Sequence, residues 1–117
     1  MSQKPRSAEY FDGWYADKVA TSAVDEIMSR HMGFPPGTRA GVVPAEAVAE
    51  LAEDLRLAPG DTLLDLACGR GAYGLLIARD TGASLIGVDF SAQALTEAEE
   101  QAARMGEIGR ASCRERV

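Results

Sequence analysis

The spacing of apolar residues divides the chain into two regions with different periods. Up to about residue 56, apolar positions recur every three or four residues, as they do on one face of an α-helix. From Thr62 the apolar residues come in short runs separated by glycine-rich or polar turns. Such runs are typical of strands that are covered on both faces, as in a parallel sheet. The pattern therefore predicts helices first and alternating strands and helices afterwards.

The N-terminal region is predicted to hold three helices. The first two are indicated by apolar positions at helical spacing, which are Tyr10, Phe11, Trp14, Tyr15, Val19, Val24, Ile27 and Met28. The run Phe34 to Gly37, which reads FPPG, interrupts this pattern. Pro44 stands where a first helical turn tolerates proline, so a third helix is expected to follow it and to end near Pro59 and Gly60.

The region that begins at Thr62 is predicted to form one right-handed βαβ unit followed by a further helix. Its elements are a buried strand at Thr62 to Leu66, a helix from Ala72 to about Thr81 stopped by Gly82, a strand at Ser84 to Val88 closed by Asp89, and a helix capped by Ser91. The predicted fold class is therefore α/β with two parallel strands.

The turn after the first predicted strand carries the residues that point to a ligand. Asp65 to Gly71 reads DLACGRG, and glycines in such a turn let backbone amides approach a ligand closely. This run resembles the first motif of class I S-adenosylmethionine-dependent methyltransferases, in which glycine is the usual residue at the position of Ala67. The resemblance extends from Leu57 to about Met105.

The resemblance implies a Rossmann-like fold and methyl transfer from S-adenosylmethionine to a small molecule. It implies that residues 57–106 form the N-terminal half of the cofactor-binding domain and that residues 1–56 form a helical lid or cap. The residues assigned to the cofactor are Asp65, Ala67, Cys68, Gly69, Gly71, Asp89 and Phe90. Asp65 would contact the methionine end, Asp89 would accept hydrogen bonds from the ribose hydroxyls, and Phe90 would cover one face of the adenine. No catalytic base is identified.

A dinucleotide site is the alternative interpretation of the same turn. Gly69, Gly71 and Gly74 also fit the GxGxxG pattern, in which an acidic residue follows about 20 residues on. Asp65 favours the methyltransferase, because its carboxylate would repel the pyrophosphate of NAD or FAD and attract a sulfonium and an amino group.

Other polar and aromatic residues are expected to have ordinary roles. His31, the only histidine, is expected to be an exposed residue at a helix end rather than a general base. Trp14 and Tyr15 are expected to dock a helix on the core, with a lid over cofactor and substrate as the alternative. Arg70 is expected to be solvated. The solvated face of the last helix is expected to carry Glu97, Glu99 and Glu100.

Composition and charge narrow the class of partner. The 117 residues carry a net charge of −6, and the basic residues are scattered, so a nucleic-acid substrate is not expected. No apolar run approaches the ~18 residues of a membrane span, so no membrane association and a cytoplasmic location are expected. Cys68 and Cys113 have no metal-ligand spacing, and no metal is expected.

The C-terminal residues have an unusual sequence. Ile108 to Val117 reads IGRASCRERV, which resembles the translation of a widely used sequencing adapter. We therefore predict that residues 107–117 are non-native and that the parent protein continues beyond them. The alternative to an active enzyme is an inactive fragment that binds cofactor weakly or not at all, because two strands bury little surface and methyltransferases place further contacts after a third and a fourth strand.

Overall fold

The computed structural model describes residues 6–19, 22–35, 38, 43–106 and 111–115. Within these residues the elements are α1 (Arg6–Val19), α2 (Ser22–His31), α3 (Ala45–Leu55), β1 (Thr62–Leu66), α4 (Ala72–Thr81), β2 (Ser84–Asp89), α5 (Ala92–Arg104) and β3 (Ala111–Glu115). Helices come first, and strands then alternate with helices. The α/β fold class that the hydrophobic periods predicted is confirmed, and its parallel sheet with covering helices is Rossmann-like.

The strands form one parallel sheet in the order β1-β2-β3. Thr62 lies opposite Ser84 and Leu66 opposite Val88, so β1 and β2 are paired along the whole length of β1. The helix α4 connects β1 to β2, and α5 connects β2 to β3, as parallel neighbours require. The carboxyl ends of β1 and β2 therefore meet at one edge of the sheet, where the glycine-rich turn lies.

The third strand was not predicted. Ala111–Glu115 falls in the segment assigned to a non-native tail, so the expectation of a two-stranded sheet is wrong. The physical reason is that α5 returns the chain to the edge of β2, whose backbone N–H and C=O groups pair with any extended segment regardless of its side chains. The adapter origin of the tail stays a prediction, and residues 107–110 and 116–117 lie outside the described residues.

Two helix ends in the βαβ unit lie where the sequence predicts them. Gly82 follows α4 with a left-handed φ of 77° and donates its N–H to the Ala78 carbonyl. The Ser91 hydroxyl caps α5 by accepting the Ala94 N–H at 3.2 Å. Both signals depend on the residue at the cap itself, which is why they can be seen in sequence.

The third helix begins as predicted but ends earlier. It follows Pro44 and stops at Leu55, before the Pro59 turn, because Arg56 adopts a left-handed φ of 51° and donates its N–H to the Glu53 carbonyl. The predicted break at Phe34 to Gly37 separates α2 from α3, although residues 36 and 37 lie outside the described part of the chain.

The core lies between α4 and the sheet and extends to α3. One buried cluster comprises Leu75, Ala78, Leu85 and Ala102, and a second comprises Phe34, Val48, Leu76 and Ile77. Leu63 and Met105 pack against both clusters. The two clusters therefore form one continuous apolar layer, which holds the strand ends and the turn between them in place.

One face of β1 is exposed, contrary to the expectation of a fully buried strand. Leu64 is 56% exposed and Leu66 is 70% exposed, whereas Leu63 packs in the core. The reason is that side chains alternate between the two faces of a strand, and α4 packs on the face opposite to Leu64 and Leu66. The α4 side of β1 is covered, and Asp65 lies on that side.

Gly74→Ala is expected to lower the free energy of unfolding by about 1–3 kcal/mol, the usual range for overpacking. A Cβ at Gly74 would lie 2.8 Å from Asp65 Oδ2 and 2.9 Å from Leu85 Cδ1, so these two side chains or α4 itself would have to shift. Denaturant unfolding followed by circular dichroism measures the change.

Gly13→Ala is the matched control, because Gly13 also lies within a helix but has no atom within 4 Å of its Cβ position. This variant should gain up to about 1 kcal/mol, since alanine is the better helix former. Equal effects at Gly13 and Gly74 would contradict the close approach of α4 to the sheet.

Candidate functional site

The turn between β1 and α4 has a strongly curved backbone. Ala67, Gly69 and Gly71 have left-handed φ angles of 57°, 54° and 77°. Glycine adopts this conformation without steric penalty, whereas alanine is strained there. The departure of Ala67 from the methyltransferase motif therefore falls on a position whose backbone favours glycine.

A buried carboxylate ties this turn to the end of β2. The Gly69 N–H donates to Asp89 Oδ2 at 2.8 Å, and the Ser91 N–H donates to Asp89 Oδ1 at 2.9 Å. The Cys68 N–H donates to the Val88 carbonyl at 3.0 Å. Asp89 is 7% exposed. Because an ionised carboxylate has about four acceptor sites, Asp89 retains capacity for ligand hydroxyls.

A cleft of about 210 Å³ opens above the turn. Its lining comprises Asp65, Ala67, Cys68, Gly69 and Gly71 of the predicted site, together with Trp14, Tyr15, Arg70, Ala72 and Tyr73. The structure thus brings together five of the seven residues that the sequence assigned to the cofactor. Of these five, Asp65 is the residue that the resemblance gives to the methionine end of the cofactor.

The other two predicted residues lie beneath α1. The Phe11 and Phe90 ring centroids are 5.6 Å apart. Asp12 of α1 accepts the Ser91 hydroxyl at 2.6 Å, next to the buried Asp89. Asp89 is therefore connected to the cleft through Gly69, but the ribose and adenine part of the predicted site is covered by α1.

Trp14 and Tyr15 line the cleft. The expectation that they only dock a helix on the core did not include this position. Their rings meet edge to face with centroids 5.0 Å apart. The Tyr15 hydroxyl is so close to the turn that a Cβ at Gly69 would lie 2.8 Å from it. Burial, together with the charge of Asp89, raises the pKa of Tyr15. Tyr15 lies 50 residues before Asp65, and no local sequence pattern indicates its contact with Gly69. The contact is therefore visible only in the tertiary structure.

Arg70 is buried, and the expectation of a solvated residue is wrong. It is 9% exposed, with Nη1 3.3 Å from Asp25 Oδ2 and Nε 3.3 Å from Glu97 Oε1. Its guanidinium carbon lies 5.2 Å from the Tyr15 ring centroid. The Gln101 side-chain amide donates to the Arg70 carbonyl at 3.1 Å. We call the three charged residues the Asp25–Arg70–Glu97 cluster.

Glu97 is likewise buried, at 6% exposure, so its assignment to the solvated face of α5 is wrong. The reason is that α5 packs against the turn, where a Cβ at Gly71 would lie 3.2 Å from Ala98 Cβ. Glu97 shares the buried face with Ala94 and Gln101 at spacings of three and four residues, and this period was the available signal. Glu99 and Glu100 are exposed as predicted.

Asp65 and Asp89 give the cleft its electrostatic character. Burial, and next the charge of Asp89, raises the pKa of Asp65. Both effects disfavour the ionised carboxylate, and the attraction of a positively charged ligand would offset both. Arg70 adds little positive charge, because two carboxylates already pair with it. The cleft is therefore suited to a cationic ligand and unsuited to a pyrophosphate.

The remaining predicted residues have less to do with the cleft. His31 is the last residue of α2 and is exposed, as predicted. Among the described residues, no helix has both the length and the hydropathy of a membrane span. In the same part of the chain, no three His, Cys, Asp or Glu side chains gather in a way that could hold a metal ion.

The parallel sheet, the glycine turn and the carboxylates after β1 and β2 define a Rossmann-like domain of the methyltransferase class. Residues 57–113 match the family model described as a methyltransferase domain. The match begins before β1 and ends within β3, so it contains the turn, both carboxylates and the helix α5.

Curated relatives and solved structures carry the same class of domain. A 2-phytyl-1,4-naphtoquinone methyltransferase of Trichormus variabilis is 50% identical over 46 residues, which are 38% of this chain and 20% of that protein. A methyltransferase of Penicillium fellutanum is 29% identical over 109 residues, which are 86% of this chain and 33% of that protein. The chain therefore spans about a fifth to a third of the length of these relatives.

A solved structure from Thiobacillus denitrificans matches the fold with a TM-score of 0.58 and 32% identity. The match covers 62% of this chain and 29% of that one, a SAM-dependent methyltransferase in complex with S-adenosyl-L-homocysteine.

Asp65→Asn is expected to increase the free energy of unfolding at pH 7. The folded-state pKa of Asp65 is raised, so ionisation of this carboxyl destabilises the fold above that pKa. As pH falls through the raised pKa towards the ordinary value of 3.8, the wild-type carboxyl takes up a proton in the folded state and the advantage of asparagine disappears. Denaturant unfolding of both proteins across pH 3–8 measures the difference.

Asp54→Asn is the control for the change of net charge, because Asp54 is an exposed residue of α3. Its effect should stay within about 0.5 kcal/mol. An Asp65→Asn protein that is less stable than wild type at pH 7 would contradict the assignment of a destabilising charge.

Proposed function

We propose that this domain binds S-adenosylmethionine and belongs to an enzyme that transfers the methyl group to an oxygen, nitrogen or carbon atom of a small molecule. The observation that carries the proposal is the cleft at the glycine turn, where the charges of Asp65 and Asp89 interact. Among the described residues, the cationic side chain that lines this cleft, Arg70, is already paired with two carboxylates and so is not available to bind a phosphate. The methyltransferase-domain match over the same residues supports it.

The residues of the cleft fit the parts of the cofactor. Asp65 would bind the amino group of the methionine part, and the backbone of Gly69 and Gly71 would pass close to the ligand. Asp89 would accept hydrogen bonds from the ribose hydroxyls, and Phe90 would cover the adenine. The cleft of about 210 Å³ is smaller than the roughly 300–1,000 Å³ of pockets for ligands of this size, so we expect α1 to shift when the cofactor binds.

The proposed chemistry asks for alignment more than for acid–base groups. The acceptor atom would donate an electron pair to the methyl carbon, the bond from that carbon to sulfur would break, and the sulfur would keep the bonding pair as a neutral thioether. The acceptor would lose a proton to a base or to water. The cofactor supplies an already activated methyl group, so the protein contributes orientation and exclusion of water. Trp14 and Tyr15, which line the cleft, would exclude water from this end of it.

A small-molecule acceptor agrees with the charge of the chain. A net charge of −6 with scattered basic residues would repel a phosphate backbone, and one curated relative is a naphthoquinone methyltransferase by name. We propose a cytoplasmic location, which the absence of a disulfide framework in the sequence supports.

Titration of the 15N-labelled chain with S-adenosylmethionine, S-adenosylhomocysteine and NAD tests the proposal. The first two ligands should shift the Gly69 and Gly71 amide resonances with dissociation constants between about 10 μM and 1 mM, and NAD should shift neither. Nuclear magnetic resonance detects binding in this weak range, which is expected because the chain spans only part of its relatives.

Asp89→Ala should abolish this binding, because it removes the ribose acceptor and frees the Gly69 amide. Asp80→Ala, an exposed change at the end of α4, is the control and should bind as wild type does. Preferential binding of NAD would support the dinucleotide alternative. A folded wild-type chain that binds none of the three ligands would support the inactive fragment.

A further inference from the structure

We infer that the Asp25–Arg70–Glu97 cluster raises the affinity of the cleft for the positively charged S-adenosylmethionine relative to its affinity for the neutral product S-adenosylhomocysteine. The inference rests on the proposed function. It assigns to Asp25 and Glu97 a role in ligand selectivity, although neither lines the cleft.

The cluster lies directly behind the turn. Arg70 stands between Gly69 and Gly71 and itself lines the cleft, while its guanidinium is held 3.3 Å from a carboxylate of α2 and 3.3 Å from a carboxylate of α5. With both carboxylates ionised, the three side chains together carry one negative charge. The arginine therefore presents no net positive charge to a ligand at the turn.

Burial makes this charge effective. Arg70 and Glu97 are both nine-tenths or more buried, so water and salt screen them less than they screen surface charges. Over about 10 Å at an effective dielectric constant of about 20–40, one unit of charge changes the affinity for a cation by roughly 4- to 17-fold. Neutralising either carboxylate would leave the guanidinium charge less compensated, and the affinity for a sulfonium would fall.

The consequence concerns exchange of product for substrate. S-Adenosylmethionine and S-adenosylhomocysteine share their nucleoside and amino-acid groups, so contacts to Asp65, Asp89 and the turn are common to both. They differ in the methyl group and in the charge on sulfur. A negative charge behind the turn acts on that difference, because it attracts the sulfonium before transfer and not the thioether afterwards.

The ratio of the two affinities separates this role from a merely structural one. If the cluster only docked α1 and α2 on the domain, its disruption would weaken both ligands by the same factor and leave the ratio unchanged. If the cluster sets the charge, its disruption changes the ratio, and the sign of the change follows the sign of the charge removed.

The experiment measures dissociation constants of both ligands for four variants of the chain by titration followed by magnetic resonance. Glu97→Gln and Asp25→Asn each remove a negative charge and should lower the preference for S-adenosylmethionine, measured as the ratio of the two affinities, by roughly 4- to 17-fold. Arg70→Met removes the positive charge and should raise that preference. Glu100→Gln removes an exposed charge on α5 and should leave the ratio within about twofold of wild type.

Circular dichroism identifies any variant that fails to fold. If Arg70→Met does not fold, Glu97→Gln and Asp25→Asn still test the inference. An unchanged ratio in folded Glu97→Gln and Asp25→Asn, with both ligands still bound by wild type, overturns the inference and leaves the proposed function in place. A folded wild-type chain that binds neither ligand overturns the proposed function and the inference with it.

Discussion

The site depends on the pair of hydrogen bonds that the Asp89 carboxylate accepts. Its two oxygens accept the amides of Gly69 and Ser91, so one buried group joins the turn after β1 to the start of α5. Hydrogen bonds to an ionised acceptor are stronger than neutral ones, and burial strengthens them further. Without this link, the Gly69 amide would lose its partner, the turn would remain joined to β2 through the Cys68 N–H and the Val88 carbonyl, and α5 would lose the residue that orients its cap.

Local signals explain why most of the fold could be predicted from the sequence. The residues that stop α4 and start α5 act through backbone groups within a few positions, so Gly82 and Ser91 are informative by themselves. The same holds for the turn, where the glycine spacing and Asp65 are sufficient to indicate a ligand site. The edge position of β1 and the pairing of β3 depend on which strands become neighbours, and side-chain patterns do not contain that information.

The parts of the site that the sequence did not predict are contacts between distant segments. Asp25 is 45 residues from Arg70, and neither position has a local pattern that pairs them. Charged residues are ordinarily solvated, so solvation was the reasonable expectation for Arg70. Glu97 is different, because the helical period of α5 places it among buried alanines. If the helical period is considered before the residue type, Glu97 is predicted to be buried. A buried carboxylate needs a cationic partner, so the sequence would also have predicted one.

The arrangement of carboxylates links the stability of the domain to its ligand. Asp65 is held near Asp89 in a partly buried cleft, where their repulsion and the loss of water both destabilise the empty domain. A ligand that carries positive charge at this place is attracted to both carboxylates and offsets their repulsion, so binding stabilises the folded domain. A pyrophosphate would add to the repulsion instead. The same two acidic residues thus disfavour the empty state and select the charge of the occupant, which is the physical basis for choosing between two cofactors that the glycines alone do not distinguish.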